Sequence, residues 1–318
     1  MIAGVLFSLA AGLMWGLVFV APLWLADYPA VVLTVGRYAA FGVIALAVAL
    51  ADRAALGRLA ARDWRQAARL SLTGNFLYYA LLASAIQTAG APVPTMIIGT
   101  LPVAIAVVAN ASERALPWPR LSASLVALLA GVGLVNLAEL GRGDDRDAGA
   151  LAAGMLLSVA AVACWTWYAV MNARALARHP GLAAGTWATA QGLMTLPLAL
   201  IGALGLWLWE AIGPGLGGSV GAHAPLGPDP LRFLATMALL GLLASWLGTL
   251  CWNAASRRLP TSLAGQLIVF ETLAALAYGY LHRGQWPAPA AWAGIALLVA
   301  GVVLGVRAFA PRRLSAPA

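Results

Sequence analysis

Ten long and nearly uninterrupted apolar stretches restrict the fold of this chain more than any other feature. Each is about 20 residues long, which is the length at which an α-helix crosses the hydrocarbon core of a bilayer. Strands of a membrane β-barrel are excluded, because they alternate in polarity and are about ten residues long. The sequence therefore predicts an all-α integral membrane protein with ten transmembrane helices, at positions 3–25, 31–51, 67–88, 92–111, 121–139, 150–172, 184–208, 231–254, 262–281 and 289–309.

The charged residues are few, and their distribution predicts how the helices are oriented. Only 9% of the residues are charged, against about 25% in an ordinary soluble domain. With the N-terminus inside, 14 arginines fall in the inside loops and the C-terminal tail, and 4 fall in the outside loops. Because basic residues accumulate on the cytoplasmic side, the sequence predicts a multi-pass protein of the inner (plasma) membrane with both termini in the cytoplasm.

The loops carry most of the positive charge, and one of them is long. The net charge of +8 does not indicate nucleic-acid binding, because the arginines are confined to short loops. The connections are short except at 210–230, where many Gly and Pro residues predict an irregular external loop.

The second half of the sequence resembles the first at an offset of about 150–170 residues. The alignment places Ser158 opposite Ser8, Trp165 opposite Trp15 and Gly241 opposite Gly74. The matching segments are "GVLFSLAAGLMWGLVFV" (4–20) with "GMLLSVAAVACWTWYAV" (154–170), "LTGNFLYYALLASA" (72–85) with "LLGLLASWLGTLCW" (239–252), and "LVALLAGVGLV" (125–135) with "IALLVAGVVLG" (295–305).

This internal repeat predicts two halves with opposite membrane topology, residues 1–145 and 146–318. Each half holds five spans, and an odd number makes the second half enter the membrane from the opposite side. Inverted repeats are typical of secondary transporters, whose substrate site lies near the bilayer midplane at the repeat interface. The prediction is thus of two inverted five-helix repeats around a central cavity.

Three segments carry a resemblance to a known family: "SLAAGLMWGLVFV" with Trp15, "YPAVVLTVGRYAAFGV" with Arg37, and "LPVAIAVVANASERALPWPRLSASLVALLAGVGLV" with Glu113. Over nearly its whole length the chain resembles the drug/metabolite transporter superfamily, specifically its ten-span EamA-like permeases. The second half departs from the first, because Glu271 stands in place of Pro102 and His282 in place of Glu113.

The resemblance implies a transporter that works by alternating access. Substrates in this superfamily include amino acids, nucleosides, sugars, metabolites and drugs. The analogy favours export of amino acids or related metabolites, and it leaves the substrate, the direction and the coupling to protons open.

Glu271 lies near the middle of the predicted ninth span, where a charge costs roughly 2.5–3.5 kcal/mol on insertion scales. An ionisable residue in a span usually faces a cavity or the bundle interior, and is a candidate functional residue by default. Two interpretations are open. Glu271 either lines the cavity, where it binds a substrate amine or carries a coupling proton, or holds a fixed structural partner.

Arg37 lies about six residues from the external end of the second span. Three interpretations are open for this residue: its side chain reaches outward to the interface, pairs with an acidic group, or binds a substrate carboxylate.

Aromatic and amide side chains in mid-span form the remaining candidate binding residues. They suit a cavity that binds an amphipathic molecule through stacking, cation–π contact and a few hydrogen bonds. The alternative is aromatic packing between helices. These candidates are Trp15 in the first span, Asn75, Tyr78 and Tyr79 in the third, Trp165 and Tyr168 in the sixth, Trp246 and Trp252 in the eighth, and Tyr278 in the ninth.

The sequence carries no motif for catalysis, metal binding or a cofactor. It has no HExxH, no G-x-S-x-G with a partner His and no ATP-binding motif, and both cysteines lie in apolar stretches. We therefore expect a carrier rather than an intramembrane enzyme, a channel or a non-transporting membrane protein. Its expected partners are a small-molecule substrate, the bilayer and, where transport is coupled, protons. The small-residue stretch "GVVLG" (301–305) packs either within the chain or at a weak dimer interface.

Overall fold

The computed structural model describes residues 1–90, 92–140, 147–212 and 226–310, which form helices joined by short turns and contain no strand. The predicted boundary between the halves, at residues 145 and 146, and most of the predicted loop 210–230 lie outside the described residues. The helices up to residue 140 are α1 (Ile2–Trp24), α2 (Ala30–Leu56), α3 (Ala61–Leu70), α4 (Tyr78–Ala89), α5 (Pro92–Ile98), α6 (Leu101–Glu113) and α7 (Trp118–Leu140).

The helices after residue 147 are α8 (Ala148–Arg178), α9 (Ala184–Ile212), α10 (Pro230–Leu239), α11 (Gly248–Ser256), α12 (Thr261–Gln266), α13 (Val269–Arg283) and α14 (Pro289–Phe309). Two π-helical segments join neighbouring helices without a turn. The first π segment (Ser71–Leu77) lies between α3 and α4, and the second π segment (Leu240–Leu247) lies between α10 and α11.

Nine helical runs of the described chain are long and apolar enough to cross a membrane. They correspond to nine of the ten predicted spans, and the prediction of an all-helical membrane protein is confirmed. The remaining prediction, 67–88, falls in the helical run 61–89, which is not among the nine. This run begins with charged turns and carries Asn75, Tyr78 and Tyr79 at its middle, so that it is less apolar than the others.

The two π segments occur at positions that the sequence alignment makes equivalent. Each contains a buried glycine at which another helix approaches closely. A Cβ atom on Gly74 would lie 2.1 Å from the ring of Tyr168, and one on Gly241 would lie 2.8 Å from the Cβ of Ala40. Wide π turns are often found at functional sites, and here both face neighbouring spans.

Two spans are interrupted in their course through the bundle. The run from α5 to α6 is broken at Gly99 and Thr100, and the run from α12 to α13 is broken at Leu267 and Ile268. Pro102 lies in the first turn of α6, where its missing N–H is not needed.

Glycines allow the closest helix contacts of the bundle. Gly12 and Gly16 of α1 leave no room for a Cβ against α13, at Phe270 and Ala274 respectively. The "GVVLG" stretch of α14 packs inside the chain, since Gly301 lies against Leu128 of α7 and Gly305 against Gln266 of α12. The small-residue contacts predicted from the sequence therefore serve packing between helices.

Candidate functional site

A small chamber lies among the spans, and both halves of the chain contribute to it. Its volume is about 30 Å³, which has room for about two or three water molecules. We call it the central chamber and define it by its lining residues: Trp15, Val18, Arg37, Tyr38, Gly74, Asn75, Tyr78, Trp165, Tyr168, Ala244, Thr249 and Glu271.

Seven of the eleven predicted site residues line the central chamber. They come from five different spans, although up to 256 residues separate them in sequence. These seven are Trp15, Arg37, Asn75, Tyr78, Trp165, Tyr168 and Glu271.

Arg37 is buried, with 6% of its surface exposed, so its side chain does not reach out to the interface. Its Nε donates a hydrogen bond to Ser245 Oγ at 3.1 Å. The guanidinium carbon lies 4.7 Å from the ring centre of Tyr79 and 5.1 Å from that of Tyr38. Nη2 donates to the carbonyl of Ala244 at 3.5 Å. Cation–π contact with the two rings stabilises a charge that is removed from water.

Glu271 is 8% exposed and lies in the first turn of α13, directly after the break in that span. The N-terminal end of a helix carries partial positive charge, which stabilises a carboxylate there. Gly12 of α1 fixes this turn, because a Cβ at Gly12 would lie 2.7 Å from the backbone nitrogen of Glu271.

Among the described residues, no salt bridge joins Glu271 to Arg37, and no side-chain hydrogen bond holds the Glu271 carboxylate. The two charged groups nevertheless line the same chamber. A cation and a carboxylate that share a cavity without pairing are suited to bind a ligand that carries both charges.

Three tryptophans pack together on one side of the chamber, two of them in its lining and the third, Trp252, behind them. Trp15 and Trp165, which the internal alignment makes equivalent, meet edge to face with ring centres 5.4 Å apart. Trp252 packs against both of them, at 5.7 Å and 5.3 Å. Such contacts are worth about 0.5–1.5 kcal/mol beyond the area buried, so that the wall is rigid.

Asn75 supplies an unsatisfied polar group. Its Nδ2 is buried and has no hydrogen-bond partner in the part of the chain that the structure describes. Asn75 lines the chamber from the first π segment. A buried amide without a partner costs free energy, and a polar ligand in the chamber would satisfy it.

A polar network continues from the chamber towards the end of the bundle where α8 ends and α9 begins. Tyr168 donates from its hydroxyl to Gln191 Oε1 at 3.1 Å. Asn172 Oδ1 accepts from Trp187 Nε1 at 2.9 Å and from Gln191 Nε2 at 3.3 Å, and Asn172 Nδ2 donates to Asn253 Oδ1 at 2.9 Å. The network joins three spans by side chains that are all buried.

Two predicted site residues lie behind the chamber wall. Tyr79 is 1% exposed and supports Arg37 through its ring. Trp252 is 2% exposed and supports Trp15 and Trp165. Both act on the chamber through a residue that lines it.

The other two predicted site residues bond to neighbouring helices away from the chamber. Trp246 donates from Nε1 to Thr189 Oγ1 at 3.1 Å. Tyr278 donates from its hydroxyl to the carbonyl of Leu13 at 3.0 Å, which ties α13 to α1. These two aromatic residues contact neighbouring helices and do not line the chamber.

Five lining residues were not among the predicted ones: Val18, Tyr38, Gly74, Ala244 and Thr249. Thr249 lies three residues before Trp252 and four after Ser245, so that helical spacing offered a signal for it. Tyr38 follows Arg37 directly, and no spacing argument distinguishes it from a packing residue. In the described part of the chain, no group of three His, Cys, Asp or Glu residues could hold a metal ion.

Comparison with known proteins gives relatives that match along nearly the whole chain, while no family model matches it. A probable terminal-alkyne amino-acid exporter of Streptantibioticus cattleyicolor is 27% identical over 313 residues, covering 95% of this chain and 96% of that protein. A crystal structure of a protein that is 21% identical superposes with a TM-score of 0.73 over 98% of this chain and 99% of the other, which shows a shared fold.

A second relative is more similar in sequence than the exporter. The inner membrane protein YtfF of Escherichia coli (strain K12) is 49% identical over 314 residues, which cover 97% of this chain and 96% of that protein. Nine apolar helical runs of spanning length occur in the part of the chain that the structure describes. The chain therefore belongs to the family of the inner membrane protein YtfF.

Proposed function

We propose that this protein is a secondary transporter that exports amino acids or related small metabolites across the inner membrane by alternating access. The observation that carries the proposal is the convergence of Arg37 and Glu271 on one aromatic chamber without an ion pair between them. Arg37 binds the substrate carboxylate and Glu271 binds its ammonium group. Tryptophan and tyrosine rings enclose the rest of the substrate.

The chemistry of the two charged residues fits the two ends of an amino acid. A guanidinium presents a fork of N–H donors that matches a carboxylate. A carboxylate in a dry cavity attracts an ammonium group more strongly than it does in water. The name of the relative from Streptantibioticus cattleyicolor, a probable exporter of a terminal-alkyne amino acid, supports this substrate class at 27% identity.

The contact between Trp15 and Trp165 supports two inverted halves of five spans each. These residues are equivalent in the internal alignment, and their rings are 5.4 Å apart. Equivalent residues that touch lie close to the axis relating the two halves. The chamber beside them is then at the repeat interface, where transporters built from inverted repeats bind their substrates.

The irregular segments support the same arrangement. The two π segments contain the aligned Gly74 and Gly241. The two broken spans place Pro102 and Glu271, which are aligned, in the first turn after each break. In this proposal the helical run 61–89 also crosses the membrane, as the third of ten spans in sequence order. The fold is then that of the EamA-like permeases of the drug/metabolite transporter superfamily.

The chamber's volume supports alternating access. A cavity of about 30 Å³ has room for about two or three water molecules, which is less than an amino acid needs. Substrate entry therefore requires the spans to separate. On the side of the proposed external face, Arg37 bonded to Ser245 closes the chamber, and on the cytoplasmic side Asn172 and its partners close it.

The proposal includes the orientation of the chain in the membrane and the residue at which protons would be coupled to transport. The arginine distribution supports a cytoplasmic position for both termini. Glu271 is the acidic residue of the chamber, so that it is the group on which a coupling proton would compete with the substrate amine. In this proposal one chain is the transport unit, and the protein is a monomer or a weak dimer.

Transport assays in proteoliposomes test the proposal. A panel of labelled amino acids, including a terminal-alkyne amino acid, is measured in counterflow with wild type, Arg37→Gln, Glu271→Gln and empty liposomes. We expect wild type to exchange at least one amino acid, and both variants to lose this activity. Glu113→Gln is the matched control, since Glu113 is exposed and outside the chamber. Wild-type liposomes that exchange none of the panel would contradict the proposal.

A further inference from the structure

A second cavity, of about 320 Å³, lies where the beginning of α3 meets the end of α8. Its lining is strongly basic, and we call it the arginine cavity. It is defined by Arg62, Asp63, Arg65, Gln66, Arg69, Arg178 and His179. Four guanidinium groups thus share a space with one carboxylate.

The sequence of α3 places its arginines on one face. Arg62, Arg65 and Arg69 are spaced by three and four residues, which puts them on one stripe of a helix. They are exposed, while the opposite stripe, with Ala67 and Leu70, is buried. The helix therefore presents positive charge to the cavity and an apolar face to the bundle.

The two walls of the cavity are joined by one partly buried pair. Asp63 Oδ1 lies 2.9 Å from Nε2 of His179, which follows α8. The other oxygen of Asp63 accepts the backbone N–H of Ala60 at 3.0 Å. Because both carboxylate oxygens are engaged and Asp63 is buried, the cavity is preformed and does not depend on a ligand for its shape.

Three of the four guanidinium groups have no acidic partner among the residues that the structure describes. Asp63 lies 3.7 Å from Arg62 Nε. Within the described ranges, Arg65, Arg69 and Arg178 form no salt bridge, so that their charges repel each other across the cavity. An anion bound among them would relieve this repulsion.

Apolar side chains are also exposed on both helices nearer the middle of the spans, and on α8 the exposed Arg174 lies between Trp167 and Arg178. Leu72, one turn after Arg69, is 44% exposed. Trp167 precedes Arg178 by eleven residues, which is three helical turns on the same face, and is 39% exposed. A molecule with an anionic head and apolar tails matches this sequence of charge and exposed apolar side chains.

We propose that the arginine cavity binds the phosphate of an anionic phospholipid. Guanidinium groups bind phosphate oxygens through paired, charge-assisted hydrogen bonds, and basic pockets between transmembrane helices on the cytoplasmic side bind anionic headgroups. The cavity lies at the end of the candidate span Ala148–Arg178, which the proposed orientation puts at the cytoplasmic headgroups. The bound lipid links α3 to α8, beside the polar network that closes the central chamber.

Native mass spectrometry of the purified protein tests the proposal directly. The protein is titrated with phosphatidylglycerol, with phosphatidylcholine, and separately with inorganic phosphate or glycerol phosphate as competitors. We expect retention of phosphatidylglycerol by wild type. In Arg65→Gln/Arg69→Gln/Arg178→Gln, we expect its affinity to fall by at least about tenfold.

The matched control is Arg120→Gln/Arg232→Gln/Arg307→Gln, which removes the same charge from exposed arginines elsewhere. The control should bind phosphatidylglycerol as wild type does. The single variants Arg65→Gln, Arg69→Gln and Arg178→Gln should each weaken binding, which keeps the test decisive where the triple variant folds poorly.

Three results would overturn the proposal. The first is equal loss of phosphatidylglycerol binding in the cavity variant and in the control. The second is retention of phosphatidylcholine as strong as that of phosphatidylglycerol. The third is displacement of the lipid by inorganic phosphate or glycerol phosphate at equal concentration, which would assign the cavity to a soluble anion.

Discussion

The central chamber and the arginine cavity hold their charges in opposite ways. In the chamber, Arg37 and Glu271 have opposite signs and are 6% and 8% exposed. In the arginine cavity, four exposed guanidinium groups surround one buried carboxylate, Asp63. Removing a charge from water is costly, so that a buried cation and anion without an ion pair between them fit the ligand-binding roles that we propose for them. Exposed arginines carry little such cost.

The two sites also differ in shape. The chamber has about 30 Å³, whereas the arginine cavity has about 320 Å³ and its walls are joined by His179 and Asp63. In the functions that we propose, the two sites serve separate tasks. Substrate binding, which is reversed in every cycle, uses opposite charges in a chamber that opens and closes, and lasting attachment to lipid uses like charges in a fixed cavity.

The largest expected effect is on the transport rate, which should depend on the central chamber and not on the arginine cavity. Arg37→Gln or Glu271→Gln should lower the counterflow rate by at least about 100-fold, since losing a charge-assisted contact of about 3 kcal/mol is a factor of that size. The variant Arg65→Gln/Arg69→Gln/Arg178→Gln should keep the rate within about threefold of wild type in liposomes without anionic lipid. Rates that fall equally in both sets of variants would remove the distinction.

The next largest effect concerns the placement of Glu271. Gly12→Ala should lower the free energy of unfolding by about 1–3 kcal/mol and reduce transport, because the added Cβ would lie 2.5 Å from Phe270 Cβ. Gly133→Ala is the matched control, since nothing lies within 4 Å of its Cβ. Thermal unfolding in detergent measures both, and an unchanged midpoint for Gly12→Ala would show that α1 does not fix α13.

A smaller effect, on stability, is expected in the polar network that runs from the chamber to the end of α8. Asn172→Leu should destabilise the protein by about 1–2 kcal/mol, because Trp187 Nε1 and Asn253 lose their partner. Asn136→Leu, which removes only a bond to the carbonyl of Val132 within one helix, serves as the control. Equal loss of stability in the two variants would mean that the network adds nothing between helices.

The smallest effect concerns the pair that fixes the arginine cavity. His179→Ala should cost about 1 kcal/mol or less, because the His179 side chain is 26% exposed. His282→Ala, at an exposed position, is the control. The variant should also loosen α3, which hydrogen exchange of residues 61–70 would measure; exchange as slow as in wild type would show that Asp63 alone positions this helix.

The positions of the spans could be predicted from the sequence, because the length of an apolar run fixes where a helix crosses the bilayer. The breaks at Gly99 and Leu267 and the π segments could not. Hydropathy reports how long a stretch is apolar, whereas a π turn or a break changes only the hydrogen-bond register. The internal alignment placed Gly74 opposite Gly241 without indicating that both lie in wide turns.

The charged members of the site could be predicted, and the assignment of the aromatics could not. Arg37 and Glu271 stand out because ionisable residues in spans are rare. The rotation of each helix about its axis decides which ring meets the chamber, and that rotation is set by packing against other spans. Thus Tyr78 lines the chamber while Tyr79 supports Arg37 from behind, although they are neighbours in sequence.

The central claim is that Arg37 binds a substrate carboxylate and Glu271 a substrate amine, and ligand discrimination by purified protein tests it most directly. Binding of a transported amino acid, its methyl ester and its N-acetyl derivative is measured by calorimetry for wild type, Arg37→Gln and Glu271→Gln. The account predicts that wild type rejects both derivatives, that Arg37→Gln no longer distinguishes the ester from the acid, and that Glu271→Gln no longer distinguishes the N-acetyl form. Undiminished discrimination against the ester by Arg37→Gln, and against the N-acetyl form by Glu271→Gln, would contradict it.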